Sequence, residues 1–127
     1  QYYYVFAFVI IFFSSPVIFA EEQKINILQI FDQFVMANKA VSLCTERNNE
    51  QLISFAKNFS LVSLRAAEKI KTIKPEFSEQ QILDVMKKRS QTLEKIVGQL
   101  IENKGCSDQK AKDLIKRFEI QVNLKFG

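Results

Sequence analysis

The sequence predicts an all-α protein: an antiparallel up-down-up-down four-helix bundle, preceded by a cleaved signal peptide and closed by one disulfide. Three observations carry this. Beyond residue 21 the apolar residues recur every three or four positions, with no strand-like alternation. Turn-forming residues are scarce: the chain has three glycines, and Pro75 is the single proline after residue 20. Short polar stretches divide the remainder into four helix-length segments, and short connections favour antiparallel neighbours.

Residues 1–20, QYYYVFAFVIIFFSSPVIFA, contain no charged side chain, and EEQK follows at once. An apolar run broken by Ser14, Ser15 and Pro16 and closed by Ala20 has the pattern of a secretory signal peptide. Its core, Val5 to Phe13, is shorter than the roughly 20 apolar residues a membrane span needs. A basic start is missing, and Ile18 stands where a small residue is preferred, so a start lost ahead of Gln1 is the expectation. The signal takes with it all three tyrosines and five phenylalanines. The expected domain, residues 21–127, keeps all 18 Lys+Arg and 14 Asp+Glu, for a formal charge of +4. That length supports one core.

The first helix is expected from about Glu22 to Glu46, with Ile27, Leu28, Phe31, Phe34, Val35 and Val41 inward. The second follows RNNE with Asn49 as N-cap and carries Leu52, Phe55, Ala56, Phe59, Val62, Ala66, Ile70 and Ile73 on one face. Lys57, Asn58, Arg65, Glu68 and Thr72 fall opposite, and Pro75 ends the helix. The stretch SEQQ, residues 78–81, reads as a capping box that opens the third helix. Ile82, Val85, Met86, Leu93, Ile96, Val97 and Leu100 form its apolar side, and Gly105 ends it as a left-handed cap. Ser107 or Asp108 caps a fourth helix carrying Ala111, Leu114, Ile115, Phe118 and Val122.

In an up-down bundle the end of the first helix and the start of the fourth meet. Cys44 and Cys106 occupy those places, so they are expected to pair, as two cysteines in an exported chain do. Closing a loop of that length contributes roughly 4 kcal/mol through the unfolded state. The rival reading is a reactive thiol, but there is no C-x-x-C and no histidine to activate either sulfur.

The absence of histidine excludes Ser-His-Asp and Cys-His hydrolases and every His-ligated zinc or haem site. No glycine-rich phosphate motif is present, and the carboxylates are spread along polar faces. No enzyme activity, cofactor or metal is therefore expected. Export and the lack of Trp and Tyr after residue 20 for base stacking argue against nucleic acid. The basic run KKRS, Lys87 to Ser90, with Lys95, Lys110, Lys112, Lys116 and Arg117, is interspersed with carboxylates and reads as a solvated face. Asn58-Phe59-Ser60 matches an N-glycosylation triplet, on what the spacing makes the exposed side of the second helix.

Four polar residues fall on or beside apolar faces: Arg89 in the third helix, Asn38 and Asp32 in the first, Ser63 in the second. A rise of about 1.5 Å per residue puts Arg89, Ser63 and Asp32 at similar heights. A charge so placed needs a partner. Either Arg89 reaches out between helices or pairs with Asp32, or these residues form a polar pocket in which Arg89 meets an anionic headgroup.

Two functions follow as expectations. The first is a periplasmic or secreted, non-catalytic interaction module that binds another exported or envelope protein, as inhibitor, chaperone, adaptor or immunity-type factor. Without Trp or Tyr in residues 21–127, arginines and exposed Leu61 or Leu64 would supply its contacts. The second is a carrier of a small anionic amphiphile in the bundle interior. No membrane span is expected after signal cleavage. Oligomeric state is not legible in the sequence.

Overall fold

Asn26 opens the first helix, α1 (Ile27–Cys44), in a computed structural model that describes residues 26–126. The expected signal peptide lies outside the described residues. Asn26 is extended, and its Oδ1 accepts from the Leu28 and Gln29 amides. The helix is thus shorter at both ends than expected: a capping asparagine stops it at one end, and Thr45 leaves helical geometry at the other. Three helices follow: α2 (Asn49–Ile73), α3 (Glu79–Lys104) and α4 (Gln109–Val122). No strand occurs among the described residues.

The caps explain the boundaries. Asn48, not Asn49, caps α2, its Oδ1 accepting from the Gln51 amide at 2.7 Å. At the far end of α2, Lys71 Nζ donates to the Pro75 and Phe77 carbonyls and closes the turn into α3. Ser78 and Gln81 make both bonds of the capping box. Gly105 ends α3 at φ 84°, ψ 170°, so the positive φ demands glycine although ψ is extended rather than left-handed helical. Asp108, of the two candidates, caps α4.

α1 is the centre of the molecule. It packs along α3 and α4 most extensively and along α2 as well, whereas α3 and α4 scarcely meet. Followed from Asp32 to Lys39, α1 meets α3 first at Arg89 and then at Gly98. It meets the others in reverse sequence order: Phe59 beside Phe31 and Phe55 beside Phe34 on α2, and Arg117 at Gln33 and Cys106 at Cys44 on α4.

Contact with three neighbours requires apolar or small residues around more than half of the α1 circumference. Phe31, Phe34, Val35, Ala37, Ala40 and Val41 are all buried. The alanines there and Ala66 and Ala111 have no exposed surface, which lets backbones approach closely. Five phenylalanine rings form one connected cluster. Phe31 stacks on Phe59, Phe59 on Phe34, and Phe55 joins Phe34 to Phe118 with centroids 4.7–5.8 Å apart.

α3 lies at the side and buries less than its sequence promises. Ile82, Met86 and Val97 are enclosed, but Val85 and Ile96 are exposed. A helix that leans chiefly on one neighbour covers a narrow stripe, and residues at the edges of a wide one stay in water. Ala56 and Ile73 of α2 are exposed as well.

Candidate functional site

Cys44 and Cys106 form a disulfide between the end of α1 and the start of α4, with their Cα atoms 5.7 Å apart. No free cysteine remains. The bridge closes the end at which α3 and α4 come nearest, next to the Gly105 turn.

The four polar residues of the apolar faces separate. Arg89 and Asp32 meet: Nε and Nη2 of the guanidinium donate to the two carboxylate oxygens at 2.5 and 2.6 Å. Arg89 is not inside the bundle, since its side chain is 48% exposed against 16% for Asp32. The hydrogen bond to Asp32, with the charge of Asp32 as a smaller cause, raises the Arg89 pKa above its ordinary value, although partial burial pulls the other way. Asn38 turns instead to Arg47, just before α2, accepting from Nη1 at 2.6 Å. Ser63 is half-buried and joins neither pair. The aromatic cluster occupies the interior, so these residues do not converge on a common pocket.

Asn58 was expected on the outer face of α2, and there the structure differs. The side chain is 7% exposed, and Nδ2 donates to the Gln121 carbonyl at 2.7 Å and the Leu124 carbonyl at 3.1 Å. Asn58 follows Phe55 by three residues and precedes Val62 by four, the spacing of the buried face, so this signal was present in the sequence. The same spacing argument leaves Leu64 in water but turns Leu61 half inward. Residues 123–126 fold back towards α2, with Arg65 Cζ 5.8 Å from the Phe126 ring centroid. Between them lies a cleft of about 430 Å³ lined by Ser54, Lys57, Asn58, Leu61 and residues 122–126.

A strongly apolar concavity lies between α3 and α4, where those helices leave α1 uncovered. It encloses about 290 Å³. Met36 and Val97 form its floor, Ile96, Leu100 and Leu114 its walls, and Lys110, Asp113 and Arg117 the α4 edge. Arg117 Nη1 donates to Gln33 Oε1 at 3.2 Å, a neutral partner. The Arg89–Asp32 pair is the one salt bridge among the described residues. Helical periodicity puts Ile96, Val97, Leu100 and Leu114 on apolar faces but does not reveal the groove, which exists only where two helices fail to touch.

Among the described residues no group of three or more His, Cys, Asp or Glu could hold a metal ion, and no helix is long and apolar enough to cross a membrane. No protein-family model matches the chain, and no curated protein or solved structure is significantly similar to it.

Proposed function

We propose that this is an exported four-helix protein, running up-down-up-down after a signal peptide cleaved behind Ala20, that works without catalysis by binding another exported or envelope protein. The Cys44–Cys106 bridge supports an oxidising compartment. The observation that carries the binding function is the outer face of α2. Ile53 and Leu64 are 68% and 59% exposed and, eleven residues apart, share one helical face with Lys57 between them. Large apolar side chains aligned on an exposed helix face are suited to covering by a partner.

The test is capture of a defined partner from envelope extract, comparing the native protein with Ile53→Asp/Leu64→Asp. Both side chains are exposed, so the fold is expected to survive, as helical circular dichroism would show. Loss of one specific partner in the variant is the expected result. Equal capture by both proteins, or none by either, removes the reading.

A second reading, a carrier of a small anionic amphiphile, is favoured by the open apolar groove between α3 and α4. In it the ligand lies outside the bundle, and the headgroup contact is a residue other than Arg89, which lies outside the groove lining and is paired bidentately with Asp32.

A further inference from the structure

We propose that the α3/α4 groove binds a single-chain aliphatic carboxylate, with its chain against Met36, Ile96, Leu100 and Leu114 and its carboxylate on Arg117. This rests on the carrier reading and gives it a site. The groove's volume of about 290 Å³ is at the small end of ligand pockets, which span roughly 300–1,000 Å³. It suits one chain rather than a two-chain lipid. A partner protein is a poorer match, because each side of a stable interface buries about 800 Å².

Charge selects the other end of the ligand. The polar groups all stand on the α4 edge, and the two cations outnumber the one carboxylate there. Asp113 accepts from Gln109 Nε2 at 2.9 Å. Lys110 and Arg117 have no carboxylate within ion-pair distance among the described residues. Arg117 is tethered by a single bond to the neutral Gln33, which positions the guanidinium and leaves its other N–H groups for a ligand. A planar guanidinium matches a carboxylate through two parallel bonds, which the point charge of Lys110 cannot do. Asp32, adjacent to Gln33 on α1, would repel an incoming anion, but Arg89 engages both of its oxygens. The exposure of Ile96, an isoleucine on an apolar wall, is relieved when a chain lies over it.

The two methionines make the test direct. Met36 is in the groove floor, while Met86 is buried in the core cluster and serves as internal control. Decanoate is titrated into the disulfide-bonded full chain carrying ¹³C-methyl methionine. Saturable movement of the Met36 methyl with Met86 unmoved is expected, and decyltrimethylammonium should leave Met36 in place. Arg117→Gln, at an exposed position, should weaken decanoate binding roughly tenfold or more, the weight of a charged hydrogen-bond pair. Ile96→Glu, also exposed, should abolish it.

Decanoate binding with unchanged affinity in both variants would overturn this site while leaving the carrier reading standing. No decanoate binding to the native protein would overturn both. Binding to phosphatidylglycerol vesicles without decanoate binding would replace the groove with a membrane surface.

Discussion

Asn58 fastens Gln121: the side-chain amide of one, in α2, donates to the backbone carbonyl of the other, 63 residues away in α4, at 2.7 Å. The second amide hydrogen goes to Leu124, so one buried side chain holds both the last turn of α4 and the segment after it. Carbonyls at a helix end have no partner within the helix. Asn58 supplies one where water is excluded.

Removing that amide should therefore cost more than an ordinary surface contact. Asn58→Ala is expected to lower unfolding free energy by about 1–3 kcal/mol, the usual penalty for buried groups left unpaired. Asn58→Asp should be worse at neutral pH, since a carboxylate would face two carbonyl oxygens. Urea denaturation reads the loss, and hydrogen exchange should show residues 121–126 opening first. The same burial predicts that folded protein secreted from a eukaryotic host carries no glycan at Asn58; intact mass decides.

Gln121 invites the opposite change. Its side chain is 3% exposed, and Oε1 has no hydrogen-bond partner. Its backbone carbonyl, which Asn58 uses, is independent of the side chain. Gln121→Met keeps the shape and removes the unpaired acceptor, so it should be neutral or stabilising by up to about 1 kcal/mol. A lower thermal midpoint for this variant would show that the amide is satisfied in solution.

The disulfide is expected to contribute a large share of the stability. Cys44→Ser/Cys106→Ser should lose roughly 4 kcal/mol by loop-closure entropy over a sequence separation of 62. The denaturation midpoint of the native protein should fall by a similar margin under reductant, and that of the variant should not move. Intact mass of expressed protein, alkylated without reductant, checks the compartment too: export predicts a species beginning at Glu21, two hydrogens light and unalkylated.

Asp32→Asn should cost about 1 kcal/mol, because the bidentate pair is half in water and screened. A double-mutant cycle with Arg89→Gln measures the coupling. Arginine's side of the pair gives no pH switch. Its raised pKa means the contribution is complete below the unfolded-state value and disappears only above the higher folded-state value. Stability assigned to Arg89 should thus be flat from neutral to mildly alkaline pH.

Phe34→Ala tests the aromatic cluster. Phe34 is 1% exposed and touches rings on α2. A loss of about 3–5 kcal/mol is expected, against well under 1 kcal/mol for Ile96→Ala on the exposed wall. Thermal unfolding of the two variants side by side shows whether the core is centred on α1.

Helix number, the caps of α3 and the pairing of the two cysteines were legible residue by residue, whereas α1 is shorter than expected and Asn48, not Asn49, caps α2. Ser78 and Gln81 sit three apart, Gly105 and Pro75 break helices wherever they occur, and two cysteines at the ends of separate helices leave one way to pair. The central place of α1 had a signal too. Among its 18 residues only Asp32 and Lys39 are charged, as befits a helix covered on three sides. What the tertiary structure alone decided is how wide each buried stripe is. That width depends on how many neighbours a helix has, which no single helix encodes. So Arg89, central on its own helix, emerges at the surface because α3 leans chiefly on α1, while Asn58, already on the buried spacing of α2, is sealed in because the chain after α4 folds back over it. The groove beside Arg117 is the same effect in negative: two helices share one support, and the space between them belongs to neither sequence.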